Sequence, residues 1–249
     1  MKAIAVIYYV ILAGYIVDFM MLVTGMTALG EDLTIPFTLL TLIGIIASCY
    51  LIQLFGAWFG IGIIIGIIAL VLGIDTILQW LIEEPLFSHN FSSDFWLTSL
   101  LHKTSEVSIW LFIAAVSYAL GLTNSRTLQP LIASFVAIVF YVLVVPIVYD
   151  TVTFTENNAK GLLYENVKVV TFVWLILAFV IDLILLQLQH FRRVYYSKSC
   201  TRRMLILFYG LMVLIISMCA ISGLWLTSIV ATILIVATLT LLLVKEDIA

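Results

Sequence analysis

Charge is scarce in this chain. Its 249 residues carry 11 Lys and Arg and 14 Asp and Glu, so charged residues make up 10% of the sequence, where a soluble globular domain carries about 25%. A water-soluble fold of this size needs a charged shell, and this sequence cannot supply one. The net charge of −3, with no basic stripe, excludes the electrostatic footprint of a nucleic-acid binder. Cysteine is nearly absent. Cys49, Cys200 and Cys219 form an odd set without C-x-x-C spacing, two of them in apolar runs and Cys200 in a basic stretch, which excludes a disulfide framework and a zinc site.

Histidine is limited to three residues, of which only His102 lies inside an apolar run, so two histidines cannot clasp a haem within the apolar part. The last apolar run has no central lysine that could carry retinal. There is no phosphate-binding G-x-x-x-x-G-K-[ST], no G-x-S-x-G nucleophile and no H-E-x-x-H, and no soluble domain to hold one. No cofactor and no resident metal are expected.

What the sequence has is hydrophobicity: 64% of it is apolar. Hydrocarbon must therefore cover the outside, and inside a bilayer every backbone polar group has to be paired within the chain, by helices or by a closed barrel. Stretches such as residues 60–72 and 234–244 are apolar on every side, whereas a barrel strand alternates over about ten residues. The expected fold is an all-α integral membrane protein, a single transmembrane domain over residues 1–249. The run that follows Met1 and Lys2 is too long for a signal-peptide core and lacks a clear cleavage site, so it reads as the first span.

Because a span needs about 20 apolar residues, cutting at polar or glycine breaks predicts a polytopic bundle of about eight spans. They cover residues 3–28, 33–55, 58–82, 96–122, 128–152, 166–189, 204–222 and 225–244. Residues 33–82 are too long for one helix, and the break is placed at Gly56-Ala57-Trp58-Phe59-Gly60. Lys and Arg favour the cytoplasmic side of short loops. With the N-terminus inside, Lys2, Arg126, Arg192, Arg193, Lys198, Arg202, Arg203 and Lys245 all fall on that side, and the opposite side holds Lys160 with Glu31, Asp32, Glu83, Glu84, Asp94, Glu156 and Glu165. Both termini are expected to be cytoplasmic. The last pair of spans is the least determined, since one long tilted helix would move the C-terminus outside.

Ionisable residues inside the spans are the candidates for function, because each costs roughly 2.5–3.5 kcal/mol at a helix centre unless paired, hydrated or used. Asp18, Asp75 and Glu106 fall at similar depth by residue count. His102 and Glu106 stand at i, i+4, and Lys103 and Glu106 at i, i+3, so one face of the fourth span is polar. Gln79 lies one turn from Asp75, Asp150 nearer the outer surface, and Asp182 towards the cytoplasmic end of the sixth span, apart from the rest. A polar cavity lined by Asp18, Asp75, Gln79, His102, Lys103, Glu106 and Asp150 points to movement or conduction of a proton, cation or small solute. Lys103 could equally neutralise a carboxylate and fix helix packing without transport.

Gly56-x-x-x-Gly60 and Gly62-x-x-x-Gly66 place small residues where helices approach closely, within the chain or between subunits. Arg192, Arg193, Lys198, Arg202 and Arg203 are suited to lipid headgroups or to a cytoplasmic partner. Two other functions compete with transport: a non-catalytic transmembrane subunit of a larger complex, and an intramembrane lipid-modifying enzyme with Glu106 and His102 as acid and base. The partners expected are the bilayer itself and other membrane subunits or copies of the chain, in a cell or organelle inner membrane.

Overall fold

A computed structural model describes residues 2–24, 34–82, 96–120, 130–139, 165–191 and 197–221, with scattered residues between 225 and 236. The described residues fall in eight helices, and no strand occurs among them. Seven are α1 (Lys2–Val23), α2 (Thr34–Phe55), α3 (Ala57–Ile82), α4 (Trp96–Leu120), α5 (Pro130–Val139), α6 (Glu165–Phe191) and α7 (Lys198–Ile221). The described residues between 225 and 236 are also helical. Four helices among the described residues, α2, α3, α6 and α7, are long and apolar enough to cross a membrane, and α1 and α5 contribute shorter apolar stretches at Val6–Val17 and Pro130–Val139.

The helix ends follow local chemistry. The break between α2 and α3 is a single residue: Gly56 takes φ 84°, a left-handed turn that costs glycine nothing. Gly60 then lets α3 lie directly on α2, since a Cβ there would run into the backbone of Ile52. One boundary departs from expectation. Helix α7 begins at Lys198 rather than at 204, so Cys200, Arg202 and Arg203 belong to its first turns and not to a loop. The expected boundary was drawn at the charges, but no Gly or Pro lies between 198 and 204. Exposed Lys198 and Arg202 can extend from a helix end to the headgroups without breaking it.

Contacts between helices set their directions. Thr41 meets Thr104 at 3.4 Å and Phe55 meets Tyr118 at 5.4 Å, so α2 and α4 run parallel. Trp110 packs on Trp174 at 4.4 Å and Ser117 reaches Asp182 at 2.6 Å, so α4 and α6 are parallel too. Arg203 sits 5.8 Å over the Tyr8 ring and Gly210 faces Tyr15, making α1 and α7 parallel. The Gly56 turn sends α3 back along α2, and the Tyr50 hydroxyl, 3.1 Å from that of Thr201, joins the end of α2 to the start of α7. Even-numbered α2, α4 and α6 therefore run one way and α1, α3 and α7 the other.

Helix α4 is the axis of this bundle. Every residue from 109 to 120 is buried, as expected of a helix enclosed on all sides. The outside is apolar. Trp58 and Trp80, 88% and 82% exposed, mark the two ends of α3, and their 22-residue separation spans about 33 Å along a helix. That matches a hydrocarbon core of about 30 Å with an aromatic anchor at each interface. The interior, by contrast, holds Ser105, Glu106, Ser108, Ser117, Ser134 and Asp182. Polar groups inside and large apolar side chains outside suit a lipid environment.

Candidate functional site

Three of the expected residues converge between α3 and α4. The Lys103 ammonium donates to Asp75 Oδ2 at 3.1 Å and to Glu106 Oε2 at 3.2 Å. Helical spacing creates half of this cluster, because i, i+3 brings Lys103 and Glu106 onto one face. The other half comes from the α2–α3 hairpin, which returns α3 beside α4 with Asp75 at the level of Lys103. The Glu106 side chain is 4% exposed and that of Asp75 13%, whereas that of Lys103 is 46% exposed. Asp75 lies five residues inside Trp80, about 7 Å along the axis. A lysine at that depth can extend its ammonium to the headgroups, yet here the ammonium is held on two carboxyls.

More polar groups continue along α4. Thr104 faces Thr41 of α2, the Ser108 hydroxyl donates to the Thr104 carbonyl at 2.7 Å, and Ser105 is buried. Asp18 lies on α1, which packs against α2 and α7, while α3 packs against α2 and α4. Gln79 stands one turn beyond Asp75 on α3, and His102 one turn before Glu106 on α4. The side chains of Asp18, Gln79 and His102 lie outside the described residues, as do Asp150, Arg192 and Arg193 altogether. Of the basic set, Lys198 and Arg202 are exposed and Arg203 stacks on Tyr8.

A second polar site was not anticipated as a pair. Asp182 of α6 is fully buried, and Ser117 of α4 meets its Oδ1 at 2.6 Å. Asp182 stood out in the sequence as an ionisable residue in a span, but nothing there linked it to a serine on another helix. Ser117 is eleven residues beyond Glu106, three helical turns, so the two share one face of α4. Between them stand Trp110, stacked against Trp174, and Ile113, all fully or almost fully buried. This face of α4 thus carries a charged cluster in one half, a carboxyl in the other and an aromatic layer between.

The glycines divide into two kinds. Gly56 and Gly60 make the α2–α3 turn. Gly62 and Gly66 have nothing within 4 Å of where a Cβ would stand and border an apolar groove of about 520 Å³, completed by Trp58 and Leu70 of α3 and by Ile184 and Leu188 of α6. Within the described bundle they pack against no helix. No known protein family, curated protein or solved structure matches this chain.

Proposed function

We propose that this protein moves or conducts a proton, cation or small solute across a membrane, through a polar cavity lined by Asp75, Lys103 and Glu106 and extended by Asp18, Gln79, His102 and Asp150. The observation that carries this reading is the pair of carboxyls converging on one ammonium below the aromatic belt. A helix pair needs one salt bridge at most for register, and each further ionisable group costs roughly 2.5–3.5 kcal/mol on insertion. Two acids competing for one cation form a group whose internal bonds rearrange when a proton or cation arrives. Proton or cation flux into liposomes, lost in Glu106→Gln, tests the reading.

In the membrane we place eight spans with both termini cytoplasmic. The segregation of Lys and Arg from Asp and Glu supports this, as do the opposed directions of α2, α4 and α6 and of α1, α3 and α7. A tag on the C-terminus is expected to stay unlabelled by impermeant reagent added to intact cells and to react once the membrane is opened. Labelling from outside would reduce the count to seven.

One observation favours a second role, as a subunit of a larger membrane complex. The open face around Gly62 and Gly66 is flat enough for another helix to approach. Replacing both glycines by Leu is expected to leave the melting temperature of the isolated chain within about 2 °C of the parent, since nothing packs there, while any copurifying membrane protein is lost. An unchanged copurification pattern would leave that face to lipid alone.

A further inference from the structure

The Ser117 hydroxyl has two short contacts. Its oxygen lies 2.6 Å from Asp182 Oδ1 and 2.8 Å from the Ala114 carbonyl oxygen. A serine hydroxyl carries one proton and can donate to only one of them. If Asp182 is a carboxylate, neither acceptor can donate in return, and one contact is left as two oxygens without a hydrogen between them. If Asp182 is a carboxylic acid, both contacts become hydrogen bonds: Asp182 donates to Ser117, and Ser117 donates to Ala114. The surroundings agree with the acid. Asp182 is 0% exposed, its Oδ2 has no hydrogen-bond partner among the described residues, and no charged side chain among them acts on it. The hydroxyl of Tyr118, next to Ser117 in the chain, donates to Gln189 Oε1 at 3.5 Å. A buried carboxylate with one oxygen unsatisfied and no cation is costly, and a neutral acid much less so.

We propose that Asp182 is a second proton-binding site, which holds a proton against Ser117 and releases it towards the inner half of the bundle. Its use in a pathway rests on the transport reading above; its chemistry does not. In the loaded state the acid proton bridges Asp182 and Ser117. On release the proton leaves for water, the Ser117 hydroxyl rotates from the Ala114 carbonyl to the new carboxylate, and no other bond changes. The Asp75–Lys103–Glu106 cluster and Asp182 then form two stations on one face of α4, and the Trp110–Trp174 layer between them prevents a continuous file of water from short-circuiting the two sides.

Infrared spectra of the full chain in lipid nanodiscs test the site directly. The parent is expected to show a protonated carboxyl band that bleaches as the pH rises, is missing in Asp182→Asn, changes frequency in Ser117→Ala and persists in Glu106→Gln. A parent without such a band, or a band that survives Asp182→Asn, overturns the proposal. Should Asp182→Asn fail to fold, the Ser117→Ala spectrum decides, and an unshifted band there overturns it equally. Proton flux in liposomes then separates the two readings. Flux in the parent that falls at least tenfold in Asp182→Asn supports the pathway role, and parental flux in that variant removes it. No flux in the parent sinks the transport reading while the infrared band still decides the site.

Discussion

Replacing Gly44 by alanine is expected to destabilise the protein by about 3 kcal/mol, the upper end of what overpacking an interior costs. At Gly44 α2 lies directly against α4, the helix at the centre of the bundle, and an added Cβ would strike the Ser108 side chain and stand 2.8 Å from its Cα. A side chain can turn aside, but a backbone atom moves only if the whole helix does. Alanine gains about 1 kcal/mol of helix propensity over glycine, too little to offset that displacement. Gly62→Ala provides the control, because it makes the same gain with open space around the new methyl and is expected to be neutral or slightly stabilising. Thermal unfolding of both variants in one detergent compares them, and a Gly44→Ala protein that melts with Gly62→Ala would show that α2 and α4 do not meet as closely as described.

These glycines also show where sequence reading runs out. Spacing such as Gly62-x-x-x-Gly66 says that one face of a helix is flat; it does not say what comes to that face. Gly44, with no partner glycine four residues away, lies at a close crossing because its neighbour happens to be α4. The charged cluster has the same limit. The i, i+3 spacing made Lys103 and Glu106 legible as a pair, and counting residues from the membrane surface put Asp75 at their depth. Asp18 was placed at a similar depth by the same count; its side chain lies outside the described residues, and its helix α1 packs against α2 and α7. Depth is one coordinate, and the position of a helix around the bundle is another that hydropathy does not encode. The four long apolar helices α2, α3, α6 and α7 were legible because lipid demands about 20 apolar residues wherever a chain crosses. Where charge was taken as the boundary, at the start of α7, the helix simply continued through it.

The largest functional effect is expected from Glu106→Gln, which should abolish proton or cation flux while the protein still folds. Glutamine keeps the shape and a hydrogen-bond acceptor for Lys103 but cannot take up a proton or change charge, so Lys103 remains satisfied by Asp75 at 3.1 Å. Lys103→Met does the opposite and leaves Asp75 and Glu106 facing one another without the ammonium that joins them. Removing one partner of a buried ion pair costs about 3–5 kcal/mol, and about 1 kcal/mol or less for an exposed pair. With Lys103 half-exposed and Glu106 buried, an intermediate loss of about 2 kcal/mol is expected for Lys103→Met. A purely structural ion pair makes a different set of predictions. Glu106→Gln alone would then destabilise the protein, Lys103→Met with Glu106→Gln would restore much of the loss, and whatever flux the parent carries would survive Glu106→Gln. A double-mutant cycle for stability therefore has to be run beside a flux assay on the same four proteins. If Glu106→Gln is as stable as the parent and carries no flux, the carboxyl serves transport; if it carries full flux, the cluster is a clasp between α3 and α4 and the pathway lies elsewhere.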